Sequence, residues 1–527
     1  VISLRKSIAS MSRPLLADPV SWTESETPSA VSPAAAPISD YLVGWLICSV
    51  LVALPFLLVR FPPITDLPQH VAQVRLFQEA WQDPSGPYRI QWLTPYSLQY
   101  LLLAGAWAIA GPAAAGRVGM LMVGLLWVTT FHLIAYVRRR PPAGAALAST
   151  LFFTKTTYWG FYGFAIGWPL FALWLLLTTG RRRDDARWFD ALLALGIGVL
   201  LYVVHVLWLG AAVLWLAVST VVLRVPIRAT LMRALGLAPV LIVTAIWYPR
   251  LSAGGFTSPT VWIVTPTGRL SFNWLVNGLF GGLRGPIEFG IVAILALWAL
   301  LACVQHRTSL RAVLDVGLLT AAAIFFAFAL ILPDKHSNTI LFSLRWLPIA
   351  GALALLACPP VRARGIVTRL VPLCVLALLS FATISSWRQF ESEEMSGLAE
   401  SLATLPQQPR VIGLDFVKYS EFVMDRPFLQ TFAYAQVLHG GRLNFSFADF
   451  VPSPVVFRDF GHRRWTLGLE WFPERVQASD LAFFDYALVN GNEAVHERFS
   501  RLFGVPGVTG QGRWRLYRLQ PNPGAKP

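Results

Sequence analysis

Ionisable side chains are scarce in residues 1–386 of this 527-residue chain, which makes them easy to sort. Thirteen acids fall there, against 28 lysines and arginines. Asp18, Glu24, Glu26 and Asp40 belong to a polar lead; Asp184, Asp185, Asp190 and Asp315 fall on the side of the basic clusters. Asp66, Glu79, Asp83, Glu288 and Asp334 remain, and any acid–base chemistry on the opposite face falls to one of these five. Asp66 stands out, in Arg60-Phe-Pro-Pro-Ile-Thr-Asp66-Leu-Pro-Gln-His70, ahead of an amphipathic stretch. There Val71, Val74, Phe77 and Trp81 share one helical face, while Gln73, Gln78, Glu79 and Gln82 fall elsewhere, as in a helix lying on a membrane surface. A carboxylate fixed in such a place suits general-base chemistry, worth about 10²–10⁴-fold in rate. Cations on the same side could hold an anion. Arg345 lies several residues into an apolar run entered from Pro333-Asp-Lys335-His336, and Lys155 sits at a hairpin tip just before Tyr158. A charge within a membrane span costs roughly 2.5–3.5 kcal/mol and is functional by default.

Each of these residues also has a plainer reading. Asp66 and Gln69 have the spacing of a capping box, with Pro68 in the first turn. His70 is either on the same face as Asp66 or a solvated histidine. Arg345 could snorkel to headgroups, and Lys155 and Lys335 could anchor loop ends. His205 interrupts a 35-residue apolar stretch. It is the outward tip of a hairpin lining a groove, or a buried histidine within one long tilted helix.

The elements that position these residues follow from composition. Hydrophobic residues make up 55% of the chain and charged ones 13%, with mean hydropathy +0.56, which excludes a soluble globular protein. The net charge of +15 lies wholly in residues 1–386, since the rest carries 15 acids and 15 bases. Basic clusters between apolar runs are what the positive-inside bias produces, so nucleic-acid binding is excluded. The four cysteines form no disulfide framework or zinc spacing, and no metal site is indicated. Residues 1–40 read as a disordered cytoplasmic segment and 41–386 as a multi-span domain with a first outer loop over 60–95. Apolar runs at 41–59, 97–115, 118–137, 143–157, 161–179, 189–204, 206–223, 235–248, 287–304, 313–332, 338–358 and 366–386 predict about 11–13 transmembrane helices. If 97–115 and 118–137 both cross, Arg138–Arg140 fall on the wrong side; a re-entrant or interfacial segment, or an exception to the rule, is then required. Residues 387–527 change to ordinary polarity, with strand-like stretches at Arg410–Phe416, Phe484–Val489 and Trp514–Leu519. They read as an extracytoplasmic α/β domain.

A first span, an outer loop with an early acid, an amphipathic helix, many further spans and an outer C-terminal domain resemble the GT-C-fold glycosyltransferases. These use polyprenyl-phosphate-linked sugars, and the protein O-mannosyltransferases and the lipid A aminoarabinose transferase are examples. Trp159-Gly-Phe-Tyr-Gly-Phe-Ala-Ile-Gly-Trp-Pro-Leu170 and Ser343-Leu-Arg345-Trp346 resemble uncharacterised bacterial members. Thr65 and Leu67 flank Asp66 where the mannosyltransferase type has adjacent Asp-Glu. The resemblance implies a multi-pass protein of the bacterial cytoplasmic membrane that moves a sugar, with inversion, from a polyprenyl phosphate to a glycan, lipid or protein. Asp66 would be the base; Arg345, Lys335, His70, His205, Lys155 and Tyr158 would bind substrate or phosphate. No cofactor is called for, although a divalent ion is compatible with the chemistry. A lipid or polysaccharide transporter, and a non-catalytic subunit of a surface-polysaccharide assembly system, are the alternatives.

Overall fold

In the computed structural model, which describes residues 36–92, 94–179, 187–253, 259–337, 339–363, 365–459, 463–509 and 511–520, the first apolar run forms helix α1, Ile38–Leu58. Its 21 residues span about 31 Å at 1.5 Å per residue, which matches a ~30 Å hydrocarbon core. Most of the expected polar lead lies outside the described residues, as do Arg181, Arg182, Arg183, Asp184, Asp185, Arg364 and His462.

Six described helices are long and apolar enough to cross a membrane: Ile38–Leu58, Pro112–Val137, Tyr162–Thr179, Ile227–Pro249, Ile287–Gln305 and Gly365–Glu394. Five shorter apolar helices accompany them: Ser97–Ala110, Trp188–Val204, Val206–Val222, Val316–Ile331 and Leu344–Ala357. The run expected over 143–157 is not one helix. It breaks into Pro142–Ser149, a 3-10 turn and Lys155–Trp159, where the hydroxyl of Thr154 accepts from the N–H of Thr157. Lipid has no polar groups to offer, and several buried indoles find partners across helices. Trp127 Nε1 donates to the Ala165 carbonyl at 2.7 Å, Trp208 to Phe164 at 2.8 Å and Trp174 to Ala212 at 3.1 Å. Trp208 fits only because residue 167 is glycine, since a Cβ there would lie 2.0 Å from its ring.

Contacts between helix ends sort the chain into two sides. Tyr41 Oη, early in α1, donates to the carbonyl of Arg140 at 2.7 Å. Past the other end of α1 come helix α2 (Leu67–Gln82), strand β1 (Tyr88–Ile90) and helix α3 (Ser97–Ala110). Helix α4 (Pro112–Val137) begins beside α2, where a Cβ on Gly116 would touch Leu67 and Val71, and ends at Arg138. Tyr100 of α3 meets His70 of α2, and Gly111, at φ +73°, turns α3 directly into α4. Both ends of α3 therefore lie on the Asp66 side. Its 14 residues extend only about 21 Å, so 97–115 is not a full crossing, and the conflict over Arg138–Arg140 disappears. Those arginines also lock helices. Arg138 makes a 2.8 Å ion pair with Asp315, and the Arg140 guanidinium donates to the carbonyls of Val313, Leu356, Ala357 and Cys358.

The C-terminal region builds a four-stranded sheet in the order β5-β4-β7-β8 from β4 (Arg410–Asp415), β5 (Arg442–Leu443), β7 (Tyr486–Asn490) and β8 (Trp514–Arg518). Strand β4 runs parallel to β5 and β7, while β8 is antiparallel to β7. Strand alternation gives the sheet two apolar faces. Val411, Leu488, Trp514 and Leu516 join the core that continues into the helices, and Ile412, Leu414, Ala487 and Val489 pack with Trp465, Phe484 and Phe499. The first loop and this region share a second sheet, in which β1 pairs antiparallel with β6 (Val455–Phe457), Tyr88 opposite Phe457.

Candidate active site

Asp66 sits at the N-terminus of α2, and its surroundings differ from a capping box. Its side chain makes no cap hydrogen bond, and Gln69 is turned elsewhere. Gln69 Nε2 donates to Gln430 Oε1 at 2.9 Å and to the carbonyl of Phe445 at 3.2 Å, while its Oε1 accepts from the N–H of Phe447. Gln73 Oε1 likewise accepts from the N–H of Val455. Gln69 and Gln73 are thereby buried against the C-terminal region.

That docking leaves the Asp66 carboxyl half-buried, without a hydrogen bond or ion pair to any described residue. Its backbone is pinned: the N–H of Thr65 donates to the carbonyl of Tyr158 at 2.9 Å, and that of Asp66 to Trp159 at 3.1 Å. Burial pushes the carboxyl up to about 8, because nothing nearby offsets the lost hydration. His70, one turn on, is brought down to about 4 by burial, against a backbone hydrogen bond with Gly160. Its Nδ1 lies 3.1 Å from Tyr100 Oη, and its ring packs edge-on to Phe447.

The segment Lys155–Phe161 forms the next wall. Lys155 is not a free cation, since it pairs with Asp425 of the C-terminal region at 2.9 Å; Asp425 also accepts from Trp159 Nε1. Tyr158 turns into the core, where its hydroxyl accepts from Trp387 Nε1. Gly160, at φ +79°, lies against Asp66, and a Cβ there would come within 3.0 Å of the Asp66 nitrogen. The next residue, Phe161, carries the guanidinium of Arg345 at 4.4 Å from its ring centroid.

Arg345 is 3% exposed, so it does not snorkel. Its Nε and Nη2 donate to the carbonyls of Leu341 and Ile340, and Phe164 offers a second aromatic face at 5.2 Å. Among the described residues no ion pair or hydrogen bond joins it to a carboxylate. His205 is the turn between Trp188–Val204 and Val206–Val222, so the hairpin reading holds, although the ring is buried against Tyr96 at 4.7 Å and Phe164 at 5.8 Å. Lys335 lies in the short hairpin of β2 (Lys335–His336) and β3 (Thr339–Ile340), opposite Ile340, whose carbonyl accepts from Arg345; the adjacent Asp334 pairs with buried Arg269.

Asp66 with His70, and Arg345 with His205, are thus brought to opposite ends of the Gly160-Phe161 dipeptide. Such an arrangement can take a proton at one end and meet negative charge at the other. Among the described residues, no three His, Cys, Asp or Glu side chains gather to hold a metal ion. Sequence reasoning missed Asp425, Gln430 and Tyr100, whose roles arise from partners distant in the chain.

No family model and no curated protein sequence matches the chain. Solved structures do. ArnT from Cupriavidus metallidurans in the apo state is similar over 92% of this chain and 98% of that chain, at 12% identity and a TM-score of 0.51. The same protein bound to undecaprenyl phosphate matches over 91% and 98%, at 12% identity and a TM-score of 0.49. Arabinofuranosyltransferase AftD from Mycobacteria is similar over 93% of this chain and 40% of that chain, at 15% identity and a TM-score of 0.46. Likeness at such identity concerns the fold. The chain has an ArnT-like fold, a multi-helix membrane protein with a C-terminal mixed α/β region.

Proposed function

We propose that this protein is an integral-membrane glycosyltransferase that moves a sugar from a polyprenyl phosphate to a hydroxyl of an extracytoplasmic glycan, lipid or protein. One observation carries the reading: a carboxyl and a buried guanidinium, neither with an ionic partner, flank Gly160-Phe161 within an ArnT-like fold. Asp66 takes the proton of the acceptor hydroxyl as its oxygen bonds to the anomeric carbon. The bond from that carbon to the phosphate oxygen breaks, and the electron pair leaves with the polyprenyl phosphate. Arg345 meets the charge that develops there, and preorganised cations in a water-poor site are effective at such a step. Attack opposite the leaving group inverts the anomeric centre. ArnT has been solved with undecaprenyl phosphate, which supports this carrier class. The Asp66 side is then the extracytoplasmic face of a bacterial cytoplasmic membrane, and the N-terminus is cytoplasmic.

The test is direct. Protein in lipid nanodiscs is incubated with polyprenyl phosphates carrying different labelled sugars and with envelope extract as acceptor, and free polyprenyl phosphate is measured. Sugar-dependent release with label appearing in the acceptor supports the reading; no release from any of them overturns it.

A further inference from the structure

The far end of α2 carries a feature that this chemistry does not use. Phe77, Gln78, Trp81, Gln82 and Trp92 line an open cavity of about 340 Å³, within the range of small-ligand sites. Trp81 and Trp92 are 64% and 67% exposed. The rings make a cleft instead of a flat patch. Trp81 stacks on Phe77 at 6.2 Å, and Trp92 stands nearly perpendicular to both, at 6.4 and 6.0 Å.

The backbone beside the cleft is tied to the C-terminal region. Gln73 ties α2 to the C-terminal region, β1 pairs with β6, and Gln91, beside Trp92, donates to the carbonyls of Val451 and Ser453. No charged side chain lines it. Glu79 is turned to Arg75 and Gln408, and Asp83 accepts from Ser85. Aromatic faces set at an angle, with amides and no charge, match a sugar ring, which offers a C–H face to stack and hydroxyls to bond. A phosphate headgroup would want a cation. A bilayer-anchoring belt would need neither the amides nor the right-angled walls.

We infer that this cleft binds the distal part of a neutral oligosaccharide, the acceptor chain whose near end reaches Asp66. Fifteen residues of helix separate Asp66 from Trp81, about 22 Å along the axis, so the acceptor is a glycan of several units. The inference rests on the transferase reading for the word acceptor, but the binding does not.

Binding of neutral glucose-, galactose-, mannose- and arabinose-based oligosaccharides of two to eight units is measured by calorimetry on the full chain in nanodiscs, without donor. Wild type binds at least one longer member; Trp81→Ala, Trp92→Ala and Gln82→Ala each weaken it about tenfold or more. Asp66→Asn, inactive in transfer under the reading above, keeps this affinity, so loss of one claim is not mistaken for loss of the other. No binding across the panel, or affinity unchanged in all three cleft variants, overturns the inference. A nitroxide on Trp81→Cys more accessible to oxygen than to a water-soluble nickel complex overturns it as well, in favour of a membrane anchor.

Discussion

The backbone N–H of Asp66 donates to the carbonyl of Trp159 at 3.1 Å, which ties the first loop to the helix that begins at Lys155. The same tryptophan donates its indole N–H to Asp425, and Asp425 pairs with Lys155. The carboxyl proposed as base is thus positioned from three parts of the chain.

The raised Asp66 value sets a pH dependence. Below about 8 the free protein holds Asp66 mostly protonated and unable to act as a base, so kcat/KM rises with pH and levels above that value. His70, brought down to about 4, stays neutral and adds no inflection between 5 and 9. The pH profile of sugar transfer checks both statements.

Stability should run the opposite way. The folded protein keeps the Asp66 proton between the ordinary carboxylate value and about 8, whereas the unfolded chain has released it. The favourable contribution is complete below about pH 4 and is lost as pH rises toward 8. Asp66→Asn stays neutral, so its melting temperature relative to wild type rises across that interval and then flattens. Paired thermal scans from pH 4 to 9 measure this.

Arg345→Ala removes the cation that faces Phe161 and Phe164. Charged hydrogen bonds are worth about 1.5–3 kcal/mol, so polyprenyl-phosphate affinity falls by about 10- to 100-fold. Arg345→Lys keeps the charge but loses the planar group stacked on Phe161, and it recovers only part of the loss. Direct binding of undecaprenyl phosphate reports both.

Asp425→Ala leaves Lys155 without its counter-ion and the Trp159 indole without its acceptor, at a cost of about 1–3 kcal/mol. Asp425→Asn keeps an acceptor for Trp159 and should retain more stability. Both variants slow transfer, since Trp159 holds Asp66. Melting temperature and turnover, compared across the two, separate the charge from the hydrogen bond.

Gln69→Leu strands the buried partners Gln430, Phe445 and Phe447 at about 1–3 kcal/mol for each group left unpaired. Loosening should be local, seen as faster hydrogen exchange over residues 430–447.

Much of this was legible in the sequence, because apolar runs and strand alternation are local signals. The strand expected near Arg410 came from such patterns, whereas at His205 they left a hairpin and one long helix equally open. What was hidden depends on partners far along the chain. Asp66 and Gln69 have capping-box spacing, but Gln69 finds Gln430, 361 residues away, and tertiary hydrogen bonding wins. Gln73 is likewise covered by Val455, 382 residues away. Residues 97–110 are apolar enough to cross, and the contacts of Tyr100 with His70 and of Gly116 with Leu67 and Val71, distant in sequence, are what bring both helix ends to one side. Asp425 is one of 15 acids in an unremarkable region, and nothing local marks it as the partner of Lys155.

The central claim is that Asp66 is the base for transfer from a polyprenyl-phosphate sugar. It is tested most directly by single-turnover transfer in nanodiscs, comparing wild type with Asp66→Asn at pH 8, with melting temperature as the check on folding. The expected result is a fall of about 10²–10⁴-fold in the transfer rate with undiminished stability and donor binding. Transfer at the wild-type rate by a folded Asp66→Asn protein would contradict the account.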